Sequence, residues 1–106
     1  MELLPAEVRR TLPKLYAQEG QKDPTVYVKY FTPDSNWTWY ATEGEPEGDD
    51  FRFFGYVIGH FREWGYFVLS ELQSARGPWG LPIERDLYFE PRPLSEILKQ
   101  EGHEQD

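Results

Sequence analysis

Glu84-Arg85-Asp86 sets two carboxylates on either side of a guanidinium. In an extended chain both acids fall on one face, with Cα atoms roughly 7 Å apart. Such a pair can do acid–base work on a sugar or an ester when its two pKa values are split. The plainer alternative, favoured here, is an edge strand whose charges pair with neighbours such as Arg76 and discourage aggregation. Other catalytic signatures are missing. His60 and His103 are the only histidines and do not sit at metal-ligand spacing, so neither zinc nor any other metal is expected. Without cysteine there is no thiolate site, disulfide or Cys nucleophile. The chain holds no Gly-rich phosphate loop, nucleophile elbow or dinucleotide fingerprint, and no cofactor is expected.

A second kind of chemistry is recognition. Trp37, Trp39, Tyr40, Phe54, Tyr56, Trp64, Tyr66 and Trp79 are too many rings to bury on one sheet face. Exposed rings anchor partners and stack on planar groups. The plain alternative is that helices at both termini cover them. Binding of single-stranded nucleic acid would pair such rings with a basic groove. Lys29, Arg52, Arg62, Arg76 and Arg85 could line one locally, but the formal net charge of −8 opposes it and opposes anionic membranes too.

The scaffold for these groups centres on Val26–Thr42, where six of seventeen residues are aromatic. Val26 to Thr32 and Trp37 to Glu43 read as two strands. Pro33-Asp34-Ser35-Asn36 is the turn between them, with Asp34 and Ser35 able to bond nearby backbone and Asn36 able to take the left-handed region. Neither face of the hairpin is cleanly polar, which suits a sheet covered on one side and partly covered or used for binding on the other. Before the hairpin, apolar spacing predicts two helical segments, about 5–11 and 13–19, separated by Pro13. After it, residues 44–50 read as an acidic solvated loop that does not meet the calcium-loop pattern. Phe51–Ile58 and Tyr66–Leu69 are the third and fourth strands, and Gly55 marks a bulge or a close backbone approach. Ser70 and Gln73 have the form of a capping box for a helix at 71–76, with Gly77 as a left-handed stop. Ile83–Phe89 reads as extended and 94–100 as a last helix. Residues 102–106 are expected to fray.

The 106 residues fit one domain, and 17% aromatic content must supply much of its core. No apolar run is long enough to span a bilayer and no signal peptide is evident, so the expected location is the cytoplasm.

Phe31 to Tyr40, Phe54-Gly55-Tyr56-Val57, Gly65-Tyr66-Phe67, Leu72 and Gly80 to Phe89 carry a family resemblance. Over almost its whole length the chain resembles the bacterial domain of unknown function family 2958. That resemblance implies a small accessory protein of plasmids and other mobile elements, sometimes encoded near anti-restriction genes. It implies no activity.

The expected fold is α+β: a four-stranded antiparallel meander with short N-terminal, middle and C-terminal helices packed on it. The expected function is a non-enzymatic binding or interaction module of a mobile element. Asp34, Trp37, Trp39, Tyr40, Arg76, Glu84, Arg85 and Asp86 are the candidate binding residues. An unknown protein is the expected partner, and a homodimer is a further option. The alternatives are a small enzyme with a carboxylate site at Glu84 and Asp86, or an acidic DNA mimic that blocks restriction.

Overall fold

The computed structural model describes residues 1–102. In chain order it contains α1 (Ala6–Arg9), β1 (Thr25–Val26), β2 (Val28–Phe31), β3 (Thr38–Glu47), β4 (Asp50–Ile58), β5 (Arg62–Val68), α2 (Leu69–Ser74), β6 (Glu84–Arg85), β7 (Arg92–Pro93) and α3 (Leu94–Gln100). The fold is α+β with antiparallel pairing. It is not a four-stranded meander. Among the described residues, five strands form one sheet in the order β5-β4-β3-β2-β6, and β1 pairs with β7 in a separate ribbon. The fifth strand arises because Glu84 and Arg85 add to the open edge of β2, opposite Phe31 and Tyr30. An unpaired edge offers a row of free N–H and C=O groups, and β6 satisfies part of it.

The central hairpin forms as its composition requires, with Val28 opposite Ala41 and Phe31 opposite Thr38. Its turn closes through Thr32, whose N–H donates to Trp37 O at 3.0 Å and whose Oγ1 accepts from Trp37 N at 3.1 Å. Asn36 does not take a positive φ, and Tyr16 alone does so among the described non-glycine residues.

The expected acidic loop is instead strand. β3 continues to Glu47 and β4 begins at Asp50, leaving only Gly48-Asp49 as a two-residue turn. Gly48 has φ 59°, a conformation that favours glycine and matches the twist of a tight hairpin. Glu47 and Arg52 brace the turn as a two-pronged ion pair across the strands. Glu47 and Asp50 both titrate below the usual carboxylate range. Hydrogen bonding from Arg52 is the main cause for Glu47, and hydrogen bonding from the Ser70 hydroxyl for Asp50.

The second expected N-terminal helix does not form. From Leu15 to Gly20 the chain makes turns. The N–H group of Gln18, which a helix over 13–19 would bond within itself, and those of Leu15 and Tyr16, which its first turn would leave open, donate to the carboxylates of Glu43 and Glu45. Charge-assisted hydrogen bonds of this kind outcompete neutral ones. The segment from Pro13 to Pro24 is therefore a strap over β3, and Gly44 N–H donates to Pro13 O at 2.9 Å.

Helix α2 starts earlier than its Ser70 signal suggests. Glu71 accepts from Val68 N–H at 2.9 Å, so the carboxylate caps the helix. Ser70 turns outward and gives its hydroxyl and N–H to Asp50. The helix stops at Ser74 with Ala75 extended (φ −68°, ψ 148°), and Gly77 is not left-handed. Helix α3 spans the expected 94–100. Gly102 has φ 74°. The rest of the expected tail, including His103, lies outside the described residues.

Two apolar clusters lie on opposite faces of the five-stranded sheet. One gathers Tyr30, Phe51, Phe53 and Phe67 with Leu3, Leu4, Leu72 and Ile83. Phe53 is fully buried, stacked on Phe67 at 5.1 Å and edge-on to Tyr30 at 5.7 Å. Trimming it to alanine would cost about 3–5 kcal/mol. The other cluster joins Tyr40, Ile58 and Val26 to Leu94 and Ile97 of α3. Lys29 and Tyr40 both donate to Glu101 Oε1, at 2.7 and 2.8 Å, which ties the C-terminal segment to the same face. Among the described residues, no helix is long and apolar enough to cross a membrane.

Candidate functional site

The site begins with an irregularity in β3. Tyr40 lies opposite Tyr56, and Glu43 lies opposite Phe54, so four residues of β3 span three of β4. The register shift between Ala41 and Glu43 is a β-bulge, a device that re-aims a side chain. It brings Glu43 onto the face shared by Tyr40, Tyr56 and Phe54. On β4 the partner position is Gly55, where a Cβ would lie 2.0 Å from Tyr40 O. The bulge and the tight approach therefore depend on glycine there.

Glu43 is only 4% exposed. Its Oε1 accepts from Tyr16 N–H at 2.7 Å and its Oε2 from Gln18 N–H at 2.6 Å. The Gln18 side chain in turn donates to the carbonyls of Thr25 and Thr42, at 2.8 and 2.9 Å. These bonds hold Tyr16 at φ 72°. A tyrosine in the left-handed region costs about 1–3 kcal/mol, and such strain persists only where surrounding contacts impose it.

Tyr16 projects toward a wall of rings on β4 and β5. Phe54 and Trp64 stack with centroids 5.6 Å apart and planes 10° from parallel. Tyr66 lies 5.0 Å from Phe54, and Tyr56 meets Trp64 at 5.3 Å. Trp64 and Tyr66 remain 42% and 46% exposed. The Tyr66 phenol holds its proton more tightly than an ordinary tyrosine. Its hydrogen bond with Tyr16 is the main cause, and the charges of Glu43 and Glu19 add to it. Strap and rings together enclose an open cleft of about 350 Å³, with Glu19 and Lys22 also on its lining. A cleft of this size, with rings on one side and the polar strap on the other, suits a small ligand or a partner side chain.

The residues singled out from the sequence lie elsewhere. Tyr40 is fully buried in the α3 cluster and offers no surface. Trp39 packs against the opposite cluster, and Trp37 stacks on it at 5.8 Å and meets His60 edge-on. Asp34 reaches across the fold instead of bonding its own turn, its Oδ2 accepting from Trp79 N–H at 2.8 Å. Arg76 does not pair with Glu84 or Asp86. It donates to the carbonyls of Gln73, in the last turn of α2, and of Ala75 just past it. Arg85 hydrogen-bonds toward the N-terminal residues, with its Nε 3.4 Å from Glu2 O. Glu84 and Asp86 do share a second, shallower cleft of about 300 Å³ with Lys29 and Tyr88. Asp86 lies 3.8 Å from Lys29 Nζ and accepts from Tyr88 N–H.

Phe54, Tyr56, Trp64 and Tyr66 stood out in the sequence only as surplus rings. Tyr16 and Glu43 were missed, since their bond joins positions 27 apart and leaves no local pattern. No group of three or more His, Cys, Asp or Glu that could hold a metal ion occurs among the described residues.

An antiparallel α+β fold with a ring-lined cleft beside a strap defines a structural class and leaves the activity open. The chain belongs to the family described as "Protein of unknown function (DUF2958)", whose pattern matches residues 3–104. No curated protein and no solved structure matches it.

Proposed function

We propose that this protein is a non-enzymatic binding module that receives a group from a protein partner in the cleft between Tyr16, Phe54, Trp64 and Tyr66. The observation that carries this reading is a half-exposed ring stack beside a tyrosine held in a strained conformation by a buried carboxylate. Rings left in water cost solvation, and strain at Tyr16 lowers stability; a binding role accounts for both. An accessory role on a mobile element goes with this reading through the family resemblance, and a cytoplasmic location through the sequence's lack of a membrane-spanning apolar run. The test is an array of acetylated peptides probed with the wild-type protein, Trp64→Ala and Tyr88→Ala. A set of peptides retained by wild type and Tyr88→Ala but lost with Trp64→Ala is expected. Retention that ignores Trp64, or no retention at all, would contradict the reading.

A second reading is a small enzyme with its carboxylates at Glu84 and Asp86. It is favoured by the meeting of both acids with Lys29 and Tyr88 in one cleft. It requires that the Glu84→Ala/Asp86→Ala double variant abolish a hydrolytic activity found by screening sugars and esters.

A further inference from the structure

We infer that the group this cleft receives is the guanidinium of an arginine on a basic partner chain. The inference rests on the binding reading above and names its ligand. Four observations converge on it. Tyr16, Phe54, Trp64 and Tyr66 line the cleft, and ring faces are electron-rich and attract cations. Trp64 is braced by its stack with Phe54 yet stays 42% exposed, and a planar guanidinium stacks well on an indole held in place. The carboxylates on the lining have no counter-cation. Glu43 is matched only by backbone N–H groups, and Glu19 has no salt bridge among the described residues. Finally, the same surface already holds a guanidinium of its own, since Arg52 sits 5.7 Å from the Tyr66 ring centroid with its charge bound by Glu47.

Lys22 is the one cation on the lining among the described residues, and it is exposed. Its charge works against an incoming arginine, so its removal is informative. The overall charge of −8 adds a long-range attraction for a basic chain.

The test follows the fluorescence and indole N–H resonance of Trp64 during titration with an acetylated tripeptide holding arginine between two alanines. Parallel titrations use citrulline, the neutral planar counterpart, and lysine. Arginine is expected to bind roughly fivefold or more tightly than citrulline, the step that one cation–ring contact confers. Lys22→Gln should tighten arginine binding and Glu19→Lys should weaken it. Equal binding of citrulline would overturn the charge assignment while leaving the cleft as a binding site. Equal binding of lysine would overturn the choice of guanidinium. No binding of any probe would overturn the inference, and the peptide array then decides the binding reading separately. Shifts of the same signals with protein concentration alone would give the cleft to a second copy of the chain.

Discussion

Asp34 Oδ1 occupies the space where a side chain on Gly77 would begin. A Cβ at position 77 would lie 1.6 Å from that oxygen. The carboxylate also accepts from the N–H groups of Trp79 and Leu81, so it pins the loop after α2 against the β2–β3 turn. Gly77→Ala should therefore destabilise the protein by about 1–3 kcal/mol, the usual cost of overpacking. In an Asp34→Ala background the clash is gone, so the same change should cost much less. Urea unfolding of the two single variants and the double variant measures that coupling. Simple additivity would show that the loop has room to move.

Glu43 should be the main fastening of the strap. Glu43→Gln places an amide donor against one of two N–H donors, and an expected loss of about 1–3 kcal/mol follows from the buried group left unmatched. Amide hydrogen exchange at Tyr16 and Gln18 should speed up in step. Glu45→Gln should cost less, because Glu45 is less buried and holds the strap through Leu15 N–H alone.

Position 16 should reverse the ordinary order of residue preference. At φ 72° a β-branched side chain is strained and glycine is not. Tyr16→Val is expected to be less stable than Tyr16→Gly by about 1–2 kcal/mol. Denaturant midpoints compare them directly, and a more stable valine variant would show that the strap can relax.

Alkaline pH should weaken the fold through its buried phenols. Burial raises the pKa of both Tyr30 and Tyr40, and the hydrogen bond to Glu101 raises Tyr40 further. An unfolded tyrosine releases its proton near pH 10, while these two keep theirs in the folded state. Above about pH 10 the unfolded chain binds fewer protons, so stability falls as pH rises. Tyr40→Phe should flatten this alkaline limb in unfolding measured across the range, and an unchanged slope would contradict the assignment.

The antiparallel hairpin and α3 were legible because their signals are local. Alternating rings, a Pro-Asp-Ser-Asn turn and an i, i+3, i+4 apolar stripe each act within a few residues. What was illegible depends on distant partners. Leu15 to Gly20 has helical spacing, yet carboxylates some 25 residues later take its N–H groups. Residues 44–47 look like loop, but pairing with β4 makes them strand. Glu84 and Arg85 read as extended, though only the free edge of β2 makes them the fifth strand. By residue type Arg76 and Tyr40 suit surface recognition, but their placement in the fold gives them other work.

The most direct test of the binding cleft is heteronuclear NMR with the arginine tripeptide. The largest shifts are expected at the Trp64 indole and at the amides of Tyr16, Phe54 and Tyr66, and Trp64→Ala should abolish them. Shifts centred on Lys29, Glu84, Asp86 and Tyr88 would move the site to the other cleft and contradict the account.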